Sequence, residues 1–216
     1  MSLSLENLAI RKSDGEVLFS NCNFSIQPGE IVTLMGPSGC GKSTLLDAVA
    51  GHLSNEFAYT GQVMLNGQSI DALEPHEREV GILFQDDLLF PHLNVWENLA
   101  FALPNEVKGK DRKAQALTAL GAIMLTPLAH HFPEQLSGGQ RARISLTRML
   151  LAKPKVALLD EPFSKLDQAL RSQFRDWVVE QLRDANIPTL MVTHDKDDIP
   201  VNSRVYTWPW ENNEDA

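Results

Sequence analysis

The residues with the most chemistry in them form one stretch, Gly36-Pro37-Ser38-Gly39-Cys40-Gly41-Lys42-Ser43-Thr44, set between the apolar run Ile31 to Met35 and the helix-like segment Leu45 to Ala50. Its glycines let the backbone curl so that successive N–H groups point inward at an anion. The helix that follows adds the positive end of its dipole. Lys42 can then reach terminal phosphates as a point charge. Ser43 supplies one oxygen to Mg²⁺, the other positions being left to water and phosphate oxygens, and Thr44 helps on the α-phosphate side. At ordinary glycine frequencies a chance match arises in roughly 1% of chains this long, and the flanking strand and helix lower that further. The stretch is therefore read as a phosphate-binding loop for ATP or GTP.

A second group of residues could supply the rest of such a site. Val156-Ala157-Leu158-Leu159 is an apolar strand that stops at two acids, Asp160 and Glu161. At the strand end Asp160 can hold Mg²⁺ directly or through water, and the metal offsets charge building on the phosphate oxygens. Glu161 is next, so its carboxylate faces elsewhere and can orient and deprotonate an attacking water. His194 follows the apolar strand Leu190 to Thr193; alone, a histidine there is more often structural. Gln85 ends another apolar run and says little by itself. Leu136-Ser137-Gly138-Gly139-Gln140 opens a helical segment, and two glycines at a helix start again offer N–H groups to an anion.

A phosphate loop alone leaves kinases, GTPases and many motors open. Combined with Leu136 to Gln140, with Val156 to Pro162, and with the isolated Gln85 and His194, it resembles the ATP-binding subunits of ABC transporters over nearly the whole length. The run from Phe84 to Asn98 is similar to the importer branch of that family. The resemblance implies MgATP as ligand, Glu161 as catalytic base, His194 bonded to the γ-phosphate and the base, and Gln85 touching Mg²⁺ or the attacking water. It implies a head-to-tail homodimer in which Ser137, Gly138, Gly139 and Gln140 of one copy close over the ATP held by the loop of the other. It also implies transmembrane permease subunits, a separate solute-binding protein, and residence on the cytoplasmic face of the inner membrane. A soluble ABC-type ATPase acting on nucleic acid or ribosomes is the alternative. Two departures stand out: no aromatic occupies Lys12, Ser13 or Asp14, where the family places a ring on adenine, unless Phe19 or a partner residue fills the role; and Lys165 stands where a small residue is common, with Ser164, Leu166 and Asp167 kept.

The elements that must position these groups follow from the hydrophobic pattern. Leu3, Leu5, Leu8 and Ile10, a turn at Ser13-Asp14-Gly15, and Val17 to Ile26 predict two antiparallel strands. Further strands are expected at Ile31 to Met35, Gly61 to Leu65, a buried Val80 to Phe84, Val156 to Asp160, Thr189 to Thr193 and Arg204 to Thr207. Helical spacing runs from Val95 to about Ile123 with a break at Pro104 and Gly109, from Gly138 to Leu150, and from about Asp167 to Asp184. The reading is an α/β phosphate-loop NTPase core with a mainly parallel sheet, an antiparallel N-terminal β-subdomain and an inserted helical lobe at about residues 90–152, one ATP-binding domain over 1–216. Leu88, Leu89, Phe90, Leu93 and Trp96 are unusually apolar for a surface segment; they serve core packing, a partner groove, or both.

Composition sets the remaining bounds. The 216 residues, 43% hydrophobic, suffice for one full core. No apolar run approaches the 18 or more residues of a membrane span, and the N-terminus lacks an export pattern, so a cytoplasmic location is expected. A net charge of -9 argues against general nucleic-acid binding. Cys22 and Cys40 are too few for a disulfide framework or a zinc site, and the acidic stretch Glu211 to Ala216 reads as a solvated tail.

Overall fold

Period-two alternation makes the first two strands. In the computed structural model, which describes residues 1–164, 166 and 168–210, β1 (Leu3–Lys12) buries Leu3, Leu5, Leu8 and Ile10 and pairs antiparallel with β2 (Val17–Ile26). The expectations for Lys165, Asp167 and the acidic tail fall outside the described residues. On its other edge β1 pairs with β4 (Phe57–Leu65), which pairs in turn with the short β5 (Gln68–Ser69), giving the order β2-β1-β4-β5. β4 begins four residues before the expected Gly61. Lys12, Arg11 and Ile10 take Phe57, Ala58 and Tyr59 as partners across the ladder, a pairing between segments too far apart for local pattern to reveal.

The second sheet is parallel throughout, in the order β6-β7-β8-β3-β9: β3 (Ile31–Met35), β6 (Val80–Leu83), β7 (Val156–Asp160), β8 (Thr189–Thr193) and β9 (Arg204–Thr207). Both faces of its centre are covered, which is why β7 and β8 are continuous apolar runs. Val156 and Leu158 point into the core shared with α1 (Lys42–Ala50) and the antiparallel sheet, while Ala157 and Leu159 point toward α4 (Gly138–Leu151) and α5 (Gln168–Asp184). β6 departs from the expected buried strand. It lies at the sheet edge, Val80, Gly81 and Ile82 are only half-buried, and Phe84 falls outside it and is 40% exposed.

A third cluster gathers Leu89, Val95, Leu99, Ala116, Leu120, Leu136 and Ile144 where α2 (Val95–Ala102) and α3 (Gly109–Ala122) pack on α4. Asn98, fully buried at the centre of this lobe, donates to the carbonyls of Phe90, Leu93 and Asn94 and accepts from the Phe90 N–H. It thereby pins the apolar segment 88–93 to α2. That segment divides in two: Leu89 is in the core, whereas Leu88 is 53% exposed.

The helix that carries the phosphate loop is anchored at its far end by a residue no pattern singled out. Arg78, 4% exposed, donates to the α1 carbonyls of Ala48 (2.9 Å) and Val49 (3.0 Å), and to those of Asp71 (3.0 Å) and Leu73 (3.1 Å). A buried cation at a helix C-terminus satisfies orphan carbonyls and complements the dipole. Arg78→Ala is expected to cost about 3 kcal/mol of unfolding free energy by stranding these acceptors; a denaturant midpoint indistinguishable from wild type would remove Arg78 as the anchor of α1.

Candidate functional site

Parallel pairing brings the ends of four strands to one edge. Met35 pairs with Thr193, Asp160 with Val192, and Leu83 with Leu159. The ladder continues past the strands, since the Gly36 N–H donates to the Thr193 carbonyl (3.3 Å) and the Glu161 N–H to that of Val192 (3.0 Å). The loop after β3, the acids at the end of β7, His194 after β8 and Gln85 just beyond β6 are thus fixed at one edge by the sheet.

Within the loop Gly39 (φ 82°) and Gly41 (φ 96°) take left-handed conformations, which turn the chain into α1 at little cost only without a Cβ. Ser38, Gly39, Gly41, Lys42, Ser43 and Thr44 line an open cleft of about 490 Å³. Gly36, Pro37 and Cys40 are not among the residues that line it. A Cβ on Gly36 would lie 2.8 Å from Cys40 Sγ and 3.0 Å from Trp208 Cβ, so the backbone is packed tightly there. Trp208 and Trp210 brace this side: the Trp208 N–H (2.8 Å) and Trp210 Nε1 (3.2 Å) both donate to the Met35 carbonyl. Phe19 meets both indoles edge-on. Sequence reasoning missed this brace; its only signal was the aromatic pair just past β9. Burial pushes the Cys40 thiol up, against the pull of Lys42, which disfavours a reactive thiolate.

The charged groups are close together. Lys42, 5% exposed, donates from Nζ to the carbonyls of Gly36 (2.8 Å) and Pro37 (2.9 Å), and its Nζ is 3.7 Å from Glu161 Oε1. That same Oε1 lies 3.0 Å from His194 Nδ1. The carboxylate of Glu161 therefore does not face away from Asp160 as strand alternation predicts; both acids line one cleft. The reason is backbone geometry: Glu161 has φ 43°, outside the strand, which folds its side chain back toward Lys42 and His194. Ser43 Oγ donates to Asp160 Oδ1 at 3.1 Å. Burial raises Asp160, Ser43 and Lys42 pull it down, and Glu161 raises it further; Asp47 is raised by burial and then by Asp160. A hydroxyl beside a carboxylate in excess negative field is a hard-oxygen donor set that fits Mg²⁺. Among the described residues no group of three or more His, Cys, Asp or Glu gathers to hold a metal, so such a cation would draw its other ligands from water and phosphate.

Gln85 is exposed and lines both this cleft and a smaller neighbouring cavity, which Asp87, Gly138, Arg141 and Pro162 also line. Arg141 Nε donates to Asp87 Oδ2 (2.8 Å), and Ser145 Oγ to the Asp87 carbonyl (2.8 Å), so the segment after β6 is tied directly to α4. Ser137, Gly138, Gly139 and Gln140 do not line the phosphate-loop cleft. Ser137 is exposed and caps α4 reciprocally with Gln140: its Oγ accepts from the Gln140 N–H (3.3 Å) and its own N–H donates to Gln140 Oε1 (2.9 Å). The two glycines differ in use. Gly138 meets open space, whereas a Cβ on Gly139 would sit 2.4 Å from Leu170 Cδ2 on α5. Phe19, considered as the missing base-stacking ring, is 5% exposed behind the loop and does not reach the cleft. The wall beyond the loop is made instead by Lys12, Leu18 and Phe57.

Behind His194 is a second feature that local pattern did not disclose. Arg171 Nη1 on α5 lies 2.5 Å from Asp195 Oδ2 and 3.7 Å from Oδ1 of Asp198, which is 1% exposed and accepts from Thr193 Oγ1 at 2.9 Å. Burial raises Asp198; Thr193 and Arg171 lower it, Asp195 raises it and His194 lowers it. A buried carboxylate is penalised in its charged form, so that cost is full above its folded pKa and fades as pH falls through it. Arg171→Leu is expected to destabilise by about 3 kcal/mol near neutrality. The deficit should shrink on acidification, and Asp198→Asn in the same chain should recover most of it. A pH-independent deficit unrelieved by Asp198→Asn, measured by denaturant unfolding, would mean that Arg171 acts through packing alone.

Comparison with known proteins gives consistent results. The sequence model of the ABC transporter family matches residues 19–164. The uncharacterized ABC transporter ATP-binding protein YnjD of Escherichia coli is 49% identical over 203 residues, covering 94% of this chain and 93% of that protein. The sulfate/thiosulfate import ATP-binding protein CysA of Pseudomonas aeruginosa is 39% identical over 92% of this chain, which spans only 60% of CysA's length. Among solved structures, CbiO1 of Clostridium perfringens, part of the ABC transporter complex CbiONQ, superposes with a TM-score of 0.82 at 29% identity, covering 95% of this chain and 83% of CbiO1.

Proposed function

The chain belongs to the ABC transporter family as an ATP-binding subunit, and from that premise we propose that it binds and hydrolyses MgATP as a head-to-tail homodimer to power solute import through separate membrane subunits. The whole chain acts as one ATP-binding unit. Lys42 and the loop N–H groups hold the phosphates, and Ser43 and Asp160 hold Mg²⁺, with Gln85 at the metal or the attacking water. Glu161 takes the proton of a water whose oxygen attacks the γ-phosphorus, and ADP leaves. His194, 3.0 Å from Glu161, orients that base and meets the γ-phosphate. The observation that carries this reading is the parallel register that sets Lys42, Ser43, Asp160 and Glu161 around one cleft, with His194 against Glu161.

The same register supports the dimer. Ser137, Gly138, Gly139 and Gln140 are outside the cleft of their own chain, so the anion-binding start of α4 is available to the nucleotide of a second copy. Binding energy at the γ-phosphate closes the dimer and its hydrolysis releases it.

An apolar groove supports a membrane partner. Leu88, Phe90, Phe101, Ala102, Met149 and Ile82 line it between α2, α4 and β6; Phe101 is 65% exposed and Leu88 53%. Such a surface fits an apolar helix of a permease subunit. The net charge of -9 supports a partner of this kind over nucleic acid. Among the described residues no helix is long and apolar enough to cross a membrane, and attachment through this groove would hold the chain peripherally on the cytoplasmic face of the inner membrane, beside a complex that receives its cargo from a separate solute-binding protein.

Two experiments test this reading. Glu161→Gln should keep ATP affinity and form a stable ATP-dependent dimer while turnover falls at least about 100-fold; unchanged turnover would refute the base assignment. Leu88→Asp with Phe101→Asp should abolish co-purification with detergent-solubilised permease while leaving ATP binding within about twofold, and retained co-purification would move the docking surface elsewhere.

A further inference from the structure

The cleft extends past the phosphate loop to a wall of the antiparallel sheet, and that wall has a distinct chemistry. Phe57 opens β4, is half-buried, and pairs across the ladder with Lys12; Leu18 of β2 completes the surface. Leu18 also adjoins the loop, its Cβ lying 3.5 Å from where a Cβ on Gly41 would be. Among the described residues that line the cleft, Phe57 carries the one aromatic ring. The strand beneath it is held firmly, since Tyr59 two residues on donates its hydroxyl to Asp71 Oδ1 at 2.8 Å. A nucleotide whose phosphates sat on the loop and α1 would have this wall as the apolar surface at the other end of the cleft.

Several backbone donors around the wall are already engaged. Lys12 Nζ pairs with Glu16 Oε2 at 2.6 Å. The backbone N–H groups of Lys12, Ser13, Gly15 and Phe57 donate to the carbonyls of Glu16, Glu56, Lys12 and Ser54, and that of Glu16 to Asp14 Oδ1. The side chains that line this wall, Phe57, Leu18 and the stem of Lys12, offer a ring and aliphatic carbon, with Phe57 and Leu18 also resting on the core beneath. Stacking on such a surface is tolerant of base identity because every base has a π face, whereas discrimination requires donors and acceptors aimed at the base edge.

We propose that Phe57 is the platform on which the base of the bound nucleotide stacks, and that the chain accepts 6-amino and 6-oxo purine triphosphates, ATP and GTP, with nearly equal affinity. This rests on the reading of the loop as a nucleotide site and specifies its base end. Its position explains why no aromatic is needed at Lys12, Ser13 or Asp14: a ring from the neighbouring strand occupies the wall.

The test is equilibrium titration of the full chain with MgATP, MgGTP and inorganic tripolyphosphate, in wild type, Phe57→Ala, Phe57→Leu and Phe57→Trp. Wild type should bind ATP and GTP within about threefold of each other. Phe57→Ala and Phe57→Leu should weaken both nucleotides by about tenfold, Phe57→Trp should retain them, and tripolyphosphate should bind all four proteins alike. Phe57→Leu keeps the apolar bulk that supports β4, so full rescue by Leu would assign Phe57 to packing and overturn the proposal. So would ATP binding to Phe57→Ala within twofold of wild type, or a wild-type preference for one purine above threefold. Failure of wild type to bind either nucleotide or tripolyphosphate would instead overturn the nucleotide-site reading, and this proposal with it.

Discussion

The hydrogen-bonded register of β3, β7 and β8 is the constraint on which the rest depends. Because the three strands are parallel and aligned, their last residues reach the same edge, and the bonds from Gly36 to Thr193 and from Glu161 to Val192 carry that alignment into the loops. Side chains from distant parts of the chain then meet within hydrogen-bonding distance without any of them being placed by a flexible connection. Every other feature supports this edge. Arg78 anchors α1 from below, the Trp208 and Trp210 indoles fix Met35, and Arg171 grips the segment that follows His194.

Charge gives the edge its chemistry. Asp160 and Glu161 sit beside Lys42, Asp47 feels the charge of Asp160, and burial raises both aspartates. Such a site favours a cation between the carboxylate and the incoming phosphates, which is the proposed place of Mg²⁺. The left-handed turn at Glu161 separates the duties of the two acids: Asp160 remains in the strand against Ser43, and Glu161 swings to His194. A continued strand would have pointed Glu161 away from the cleft.

Legibility in the sequence followed the range of the interactions. The phosphate loop, β7, β8 and the start of α4 are written in contiguous residues, as spacing of glycines or continuous apolar runs, and they emerge from pattern alone. What pattern missed depends on partners far along the chain. β4 starts at Phe57 because β1 extends to Lys12, β6 takes the edge of the sheet through a strand order that local pattern does not encode, and Arg78 is buried because the carbonyls of α1 await it. The same holds at the cleft. Phe19 was a plausible ring by position, yet the two tryptophans draw it behind the loop, and Phe57 lines the cleft from a strand whose early start was not visible.

In the proposed dimer this edge is half of a reaction chamber, completed by Ser137 of a second copy. A crystal structure of the wild-type chain with Mg²⁺ and a non-hydrolysable ATP analogue tests it most directly. The proposed dimer should show Mg²⁺ contacted by Ser43 Oγ and by Asp160 directly or through water, and the γ-phosphate within hydrogen-bonding distance of Ser137 from the opposing copy. Ser137 turned toward bulk solvent in every assembly, or a metal contacting neither Ser43 nor Asp160 even through water, would contradict it.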